Sequence, residues 1–187
     1  MSKPLKFIHI TKCAGTSIEN AAQEKGILWG RFHREYKFWH QVFPKVKDTV
    51  INKYDWFAVV RNPYDRILSE YHCKWGGIGS KNPHHTKQQM NAYLIRKINR
   101  RKASGDHYTE QYLYLHPTVP IHILKFENLA TEFDALMSHY NIQGITLTRE
   151  NSSTKFFTVS DFSPELIALI NQVYDKDFEI FGYTKFV

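Results

Sequence analysis

Apolar residues along this chain follow two rhythms. Unbroken short runs, "LKFIHI" at 5–10, "DWFAVV" at 55–60 and "IHILKF" at 121–126, read as buried strands. Elsewhere the spacing turns helical. Ile18, Ala21 and Ala22 mark one face of a helix that starts at Ser17 and ends near Gly26. Tyr64, Ile67, Leu68 and Tyr71 repeat the pattern after Asn62-Pro63, which stops the second strand. Leu129, Phe133, Leu136 and Tyr140 form a third stripe, and Leu166, Leu169, Ile170 and Val173 a fourth behind a Ser163-Pro164 cap. Strands alternating with helices predict an α/β fold with a central, mostly parallel sheet flanked by helices.

With 187 residues the chain is expected to form a single domain, 1–187. Residues 74–110 break the rhythm. "KWGGIGSKNPHHTKQQ" is rich in Gly, Asn, His and Lys, and "RKINRRKASGDH" is strongly basic. This stretch is expected to be a loop or loop-plus-helix excursion that faces substrate. A net charge of +7, from 25 Lys+Arg against 18 Asp+Glu, favours an anionic partner without choosing one. Two cysteines, Cys13 and Cys73, are too few for a disulfide framework. No apolar run nears the roughly 20 residues that span a bilayer, and the N-terminal run is too short for a signal peptide, so a cytoplasmic location is expected.

The first strand runs straight into "TKCAGTS" at 11–17 and then into a helix. A strand-to-helix turn presents backbone N–H groups and the positive end of the helix dipole, a ready anion site. Gly15 allows close approach, Lys12 adds a charge, and Thr16 and Ser17 add hydroxyls. Cys13 reads as a small residue of a tight turn, with a thiol nucleophile as the alternative. The order differs from a Walker loop, in which lysine follows the second glycine and a magnesium-binding hydroxyl follows the lysine. A second candidate clamp is "VVRNPYDRILSEY" at 59–71. It puts Arg61 at a strand's carboxyl end, where open α/β sheets bind ligands, and Ser69 on the next helix. The planar fork of a guanidinium suits a phosphate.

"TKCAGTS" and "RNPYDRILSEY" together resemble the two signatures of sulfotransferases that use 3′-phosphoadenosine 5′-phosphosulfate (PAPS). "HYTEQYLY" (107–114), "ILKFENLATEFDALM" (123–137), "RENSSTKF" (149–156) and "INQVYDKDFEIFGY" (170–183) are similar to the Golgi carbohydrate sulfotransferases and their small bacterial relatives. Thr11 stands where proline is common in that family, and the likeness is weakest at 74–106. The resemblance implies a fold like that of the P-loop nucleotide hydrolases. It implies that Lys12 contacts the 5′-phosphosulfate and offsets charge on the leaving phosphate, with Cys13, Ala14, Gly15, Thr16 and Ser17 completing the loop. Arg61 and Ser69 would bind the 3′-phosphate, and Asn151 and Ser153 would lie near the nucleotide.

Transfer to an alcohol needs a base for the hydroxyl proton and cations around the leaving group; it requires no metal. "FHREYKFWHQVFP" (32–44) looks like the family segment that carries the base, and counting back from Pro44 gives His33. His40 and Glu35 are the alternatives. An imidazole of ordinary pKa, about 6.5, is mostly neutral at pH 7 and so competent as a base. The expected partners are PAPS and a hydroxyl acceptor, a carbohydrate by resemblance, and not nucleic acid. Two other functions fit parts of the sequence. One is a magnesium-dependent nucleotide or small-molecule kinase, with Asp65 as its metal carboxylate. The other is a module that binds RNA or an acidic polymer through the basic 96–102 segment.

Overall fold

The computed structural model describes residues 3–33, 42, 47–75, 77–78, 85–103, 105–147 and 155–187. Among them, three strands pair in parallel: β1 (Leu5–Ile8), β2 (Asp55–Val60) and β3 (Ile121–Lys125), in the order β1-β2-β3. Phe7 lies opposite Phe57, and Ala58 opposite Ile123. The central position of β2 explains its composition. Covered on both faces, it is buried at five consecutive residues, Trp56–Val60, and reads as an unbroken apolar run. β3 is an edge strand and only partly buried.

Helices follow the strands as the spacing predicts. α1 (Gly15–Gln23) and the single turn α2 (Asp48–Ile51) lie between β1 and β2 in sequence. α3 (Pro63–Tyr71) starts at the predicted Asn62-Pro63, where the Asn62 side chain accepts from the Tyr64 amide. α4 (Lys87–Asn99) fills much of the 74–110 excursion and opens with a capping box of Thr86 and Gln89. α5 (Leu129–His139) stops at Asn141, whose left-handed backbone lets Ile142 and Asn141 return hydrogen bonds to Met137 and Ser138. α6 (Pro164–Val173) carries the expected Ser163 cap, and α7 (Asp175–Phe181) follows almost directly.

The chain divides into two compact units. The first, Met1–Arg61 with Leu113–Glu150, contains the sheet, α1, α2 and α5. Its core is aromatic. Phe57 packs against Phe7 at 4.9 Å and edge-on against Trp29 at 5.0 Å, and Phe133 of α5 closes the cluster. The Trp29 indole N–H donates to the Leu5 carbonyl, which ties the segment after α1 to β1. The second unit, Asn62–Tyr112 with Asn151–Val187, contains α3, α4, α6 and α7 around a core that includes Ile67, Leu94, Leu166, Ile170 and Phe178. Among the described residues no helix is long and apolar enough to cross a membrane.

Polar groups are sealed into the second unit too. Arg66, on the apparently polar side of α3, is only 1% exposed and donates to the His107 carbonyl. Asp177 of α7 is fully buried and accepts from the backbone amides of Gln111 and Tyr112. Burial raises its pKa against the pull of those bonds and of Arg66. His72 is buried with both ring nitrogens engaged: Nδ1–H donates to the Leu68 carbonyl, and Nε2 accepts from the amides of Phe156 and Phe157. That arrangement needs a neutral imidazole. Burial, with a lesser contribution from nearby Lys155, accordingly holds the His72 pKa below its ordinary 6.5 despite the bond to Leu68. The unfolded chain then binds the proton more readily than the folded one. Stability is fully present above about pH 6.5 and falls as pH drops through that value toward the lower folded pKa. Urea unfolding between pH 7.5 and 5 should show this loss, and His72→Gln should flatten it; an equal slope in both proteins would refute the assignment.

Candidate functional site

Parallel strands deliver their carboxyl ends to one edge of a sheet, where open α/β folds bind ligands. β1 leaves the ladder at Ile8 because the Ile10 amide turns back to the Ile8 carbonyl, so the predicted strand ends two residues early and the turn begins at once. Arg61 directly follows β2, and Phe126 directly follows β3.

The 11–17 turn has strained backbone. Lys12 (φ 64°) and Ala14 (φ 62°) both adopt the left-handed conformation, and the only other non-glycine residue to do so among the described residues is Asn141. Each such residue costs about 1–3 kcal/mol, and strain of this kind gathers at functional sites. Left-handed residues in a turn direct successive N–H groups into an anion-binding concavity. α1 then starts at Gly15 without a side-chain cap, and its first helical bond runs from the Ile18 amide to the Ala14 carbonyl. Thr16 and Ser17 are half-buried in this first turn, while Cys13 is buried with its thiol turned inward to the Thr11 carbonyl. Its backbone, and not its sulfur, belongs to the concavity.

Arg61, from the second motif, reaches the backbone of Lys12 in the first. Arg61 Nη1 donates to the Lys12 carbonyl at 3.3 Å, and the guanidinium sits over the Phe126 ring at 4.1 Å. A carbonyl and an aromatic face both help to orient the guanidinium.

Beneath the turn lies a network that the sequence did not reveal. Glu19, on the buried face of α1, is 0% exposed. One carboxylate oxygen accepts from His9 Nδ1 at 2.8 Å and from the Arg31 amide at 2.9 Å; the other pairs with Arg31 Nε at 3.2 Å. Arg31 also donates to Asn20. Gly30, at φ 51°, leaves room for the carboxylate, since a Cβ there would fall 1.8 Å from Glu19 Oε1. The missing side chain of Gly15 serves the same network: a Cβ would fall 2.3 Å from His9 Nε2. The signal available in sequence was a histidine inside an otherwise apolar strand run.

The remaining candidates are placed as follows. His33 ends the short 3₁₀ turn Gly30–Phe32, is 4% exposed, and packs edge-on against Tyr54, the residue before β2, at 5.4 Å. Ser69 is half-buried on α3, in the second unit. Asn151, Ser153, Glu35 and His40 lie outside the described residues. Asp65, the carboxylate a kinase would use, stands in the first turn of α3, where an acid complements the helix dipole. His85 bonds the Tyr71 hydroxyl at 2.8 Å. Among the described residues no group of three or more His, Cys, Asp or Glu side chains could hold a metal ion.

The profile of the sulfotransferase family matches residues 2–184, nearly the whole chain. The chain belongs to the sulfotransferase family. Sulfuryl transfer is therefore the chemistry of this enzyme, and the sheet with its flanking helices is the sulfotransferase fold. No curated protein and no solved structure gives a significant match to this sulfotransferase.

The packing of the sulfotransferase's turn on His9 can be tested directly. Gly15→Ala should destabilise the protein by about 1–3 kcal/mol, as overpacking of a filled site does. In a His9→Ala background the same change should cost less than about 1 kcal/mol, because the obstructing ring is gone. Urea denaturation of the four proteins measures both; equal costs would show that His9 is not the obstacle.

Proposed function

We propose that this sulfotransferase moves a sulfuryl group from PAPS to a hydroxyl of a carbohydrate, in line with its likeness to the Golgi-type group. The observation that supports the reading is the bond from the Arg61 guanidinium to the Lys12 carbonyl, which joins residues of the two signature motifs. The donor set suits a phosphosulfate: an uncapped helix start, two left-handed residues, a lysine and two hydroxyls.

PAPS supplies an activated sulfur and a phosphate leaving group. Lys12 and the backbone of Cys13, Ala14, Gly15, Thr16 and Ser17 hold the 5′-phosphosulfate. Arg61 and Ser69 hold the 3′-phosphate, and Asn151 and Ser153 complete the nucleotide site by family position. The acceptor oxygen bonds to sulfur as the bond between sulfur and the 5′-phosphate oxygen breaks. His33 takes the hydroxyl proton, and Lys12 offsets the charge that grows on the leaving phosphate.

Thermal unfolding tests the donor. At about a hundredfold saturation, 3′-phosphoadenosine 5′-phosphate should raise the midpoint by roughly 5–10 °C. AMP should do much less, and a larger shift with ATP and Mg²⁺ would overturn the reading in favour of a kinase. Arg61→Ala should weaken the 3′-phosphorylated nucleotide about ten- to a hundredfold. His33→Ala should lower transfer about 10²–10⁴-fold while the nucleotide shift survives. Retained transfer would return the base to His40 or Glu35.

A further inference from the structure

His9 directly follows β1 and lies buried, 6% exposed, beside the 11–17 turn. Two edges of its ring face two residues of α1. Nδ1 is 2.8 Å from a carboxylate oxygen of Glu19, and so carries the proton that the carboxylate accepts. The Nε2 edge lies under Gly15, where a Cβ would come within 2.3 Å of that nitrogen. Gly15 and Glu19 are four residues apart in the helix, hence one turn apart on the same side. All these residues, and Lys12 with them, belong to the first unit.

An apolar side chain could fill the space under Gly15 without a buried carboxylate beside it, and burying a charge is costly. The imidazole adds orientation. Its bond to Glu19 fixes the rotation of the ring, and with it the level of the atoms beneath Gly15. Glu19 is held in turn by the Arg31 amide and guanidinium, and Arg31 by Asn20. The Arg31 charge also balances the acid, so the ion beneath the turn is compensated by one of opposite sign. The turn needs such support, because left-handed backbone at Lys12 and Ala14 is strained and persists only where its surroundings impose it.

We propose that His9 is a positioning residue for the 5′ end of the donor. Its ring, oriented by Glu19, sets the level of the Gly15 backbone and so aims the amides of the turn at the phosphosulfate. With Nδ1 against Glu19 and Nε2 against Gly15, His9 acts through the turn and not by touching the donor. The 3′-phosphate is assigned to Arg61 and Ser69, so a displaced turn should largely spare its binding. This role rests on the PAPS reading above. The two can fail separately: the parent protein tests the donor site, and the variants test His9.

Two probes read the 5′ end by difference: 3′-phosphoadenosine 5′-phosphate, and adenosine 3′-phosphate, which lacks the 5′ group. Calorimetric titration of the full chain gives the ratio of their affinities. In the parent protein the first should bind about a hundredfold tighter, as a few charge-assisted hydrogen bonds provide. His9→Asn keeps a short donor for Glu19 but vacates the space under Gly15. It should lower the ratio about tenfold, while adenosine 3′-phosphate binds as in the parent. His9→Gln reaches the Nε2 position with its own amide and should retain most of the ratio. Gly15→Ala displaces the turn from the other side, because its methyl points at the ring, and should act like His9→Asn. A melting curve without ligand checks folding, and Gly15→Ala decides the matter should His9→Asn not fold. An unchanged ratio in these variants would overturn the proposal. So would an equal loss of both nucleotides, the mark of a purely structural role. A parent protein that binds the two nucleotides alike would overturn the PAPS reading itself, and this role with it.

Discussion

A carboxylate removed from water must find partners or become a liability, and Glu19 meets that requirement in the first unit. His9 at the end of β1, the Arg31 amide and the Arg31 guanidinium all converge on it. With Glu19 itself, those partners join three segments: the strand exit, the first helix and the turn after that helix. One buried charge thus sets where each segment may lie relative to the others. A buried ion pair of this kind adds little net stability compared with apolar packing, but breaking it strands a charge at a cost of several kcal/mol. Its value is geometric. It determines the surface on which the 11–17 turn rests.

That turn carries strain, with left-handed backbone at a lysine and an alanine, neither of which favours it. The surroundings hold it in place. His9 fills the space under Gly15, the Cys13 thiol is bonded inward, and Arg61 clamps the Lys12 carbonyl from the end of the neighbouring strand. A turn held from three sides in this way has little freedom to reorient. The same clamp ties the end of β2 to the backbone of the turn after β1.

In the second unit the polar interior does a different job. Asp177 and Arg66 secure the 107–112 segment through its backbone, and Arg101 fastens Glu110 beside it. With that segment secured, His107 is held against Glu70 of α3. A stretch that by composition is a polar connection is thereby fixed to the helices of the second unit.

Much of the architecture was legible along the chain. β2 announced itself because a central parallel strand, covered on both faces, must be apolar throughout. α3 and α6 announced themselves through Asn62-Pro63 and Ser163-Pro164, whose caps act within a few residues. The two signature motifs were equally plain, since a strand-to-helix turn and an arginine after a strand are local features. By contrast, α7 and the exact end of β1 were missed, because the first depends on packing and the second on a single tight turn. Arg66 lies off the apolar stripe of α3, and only the packing of the second unit buries it. The partners of Glu19 and of Asp177, and the meeting of Lys12 with Arg61, join residues 10 to 66 positions apart. Local propensity and spacing act over a turn or a strand; which buried charge finds which donor is decided only when separate elements share one interior.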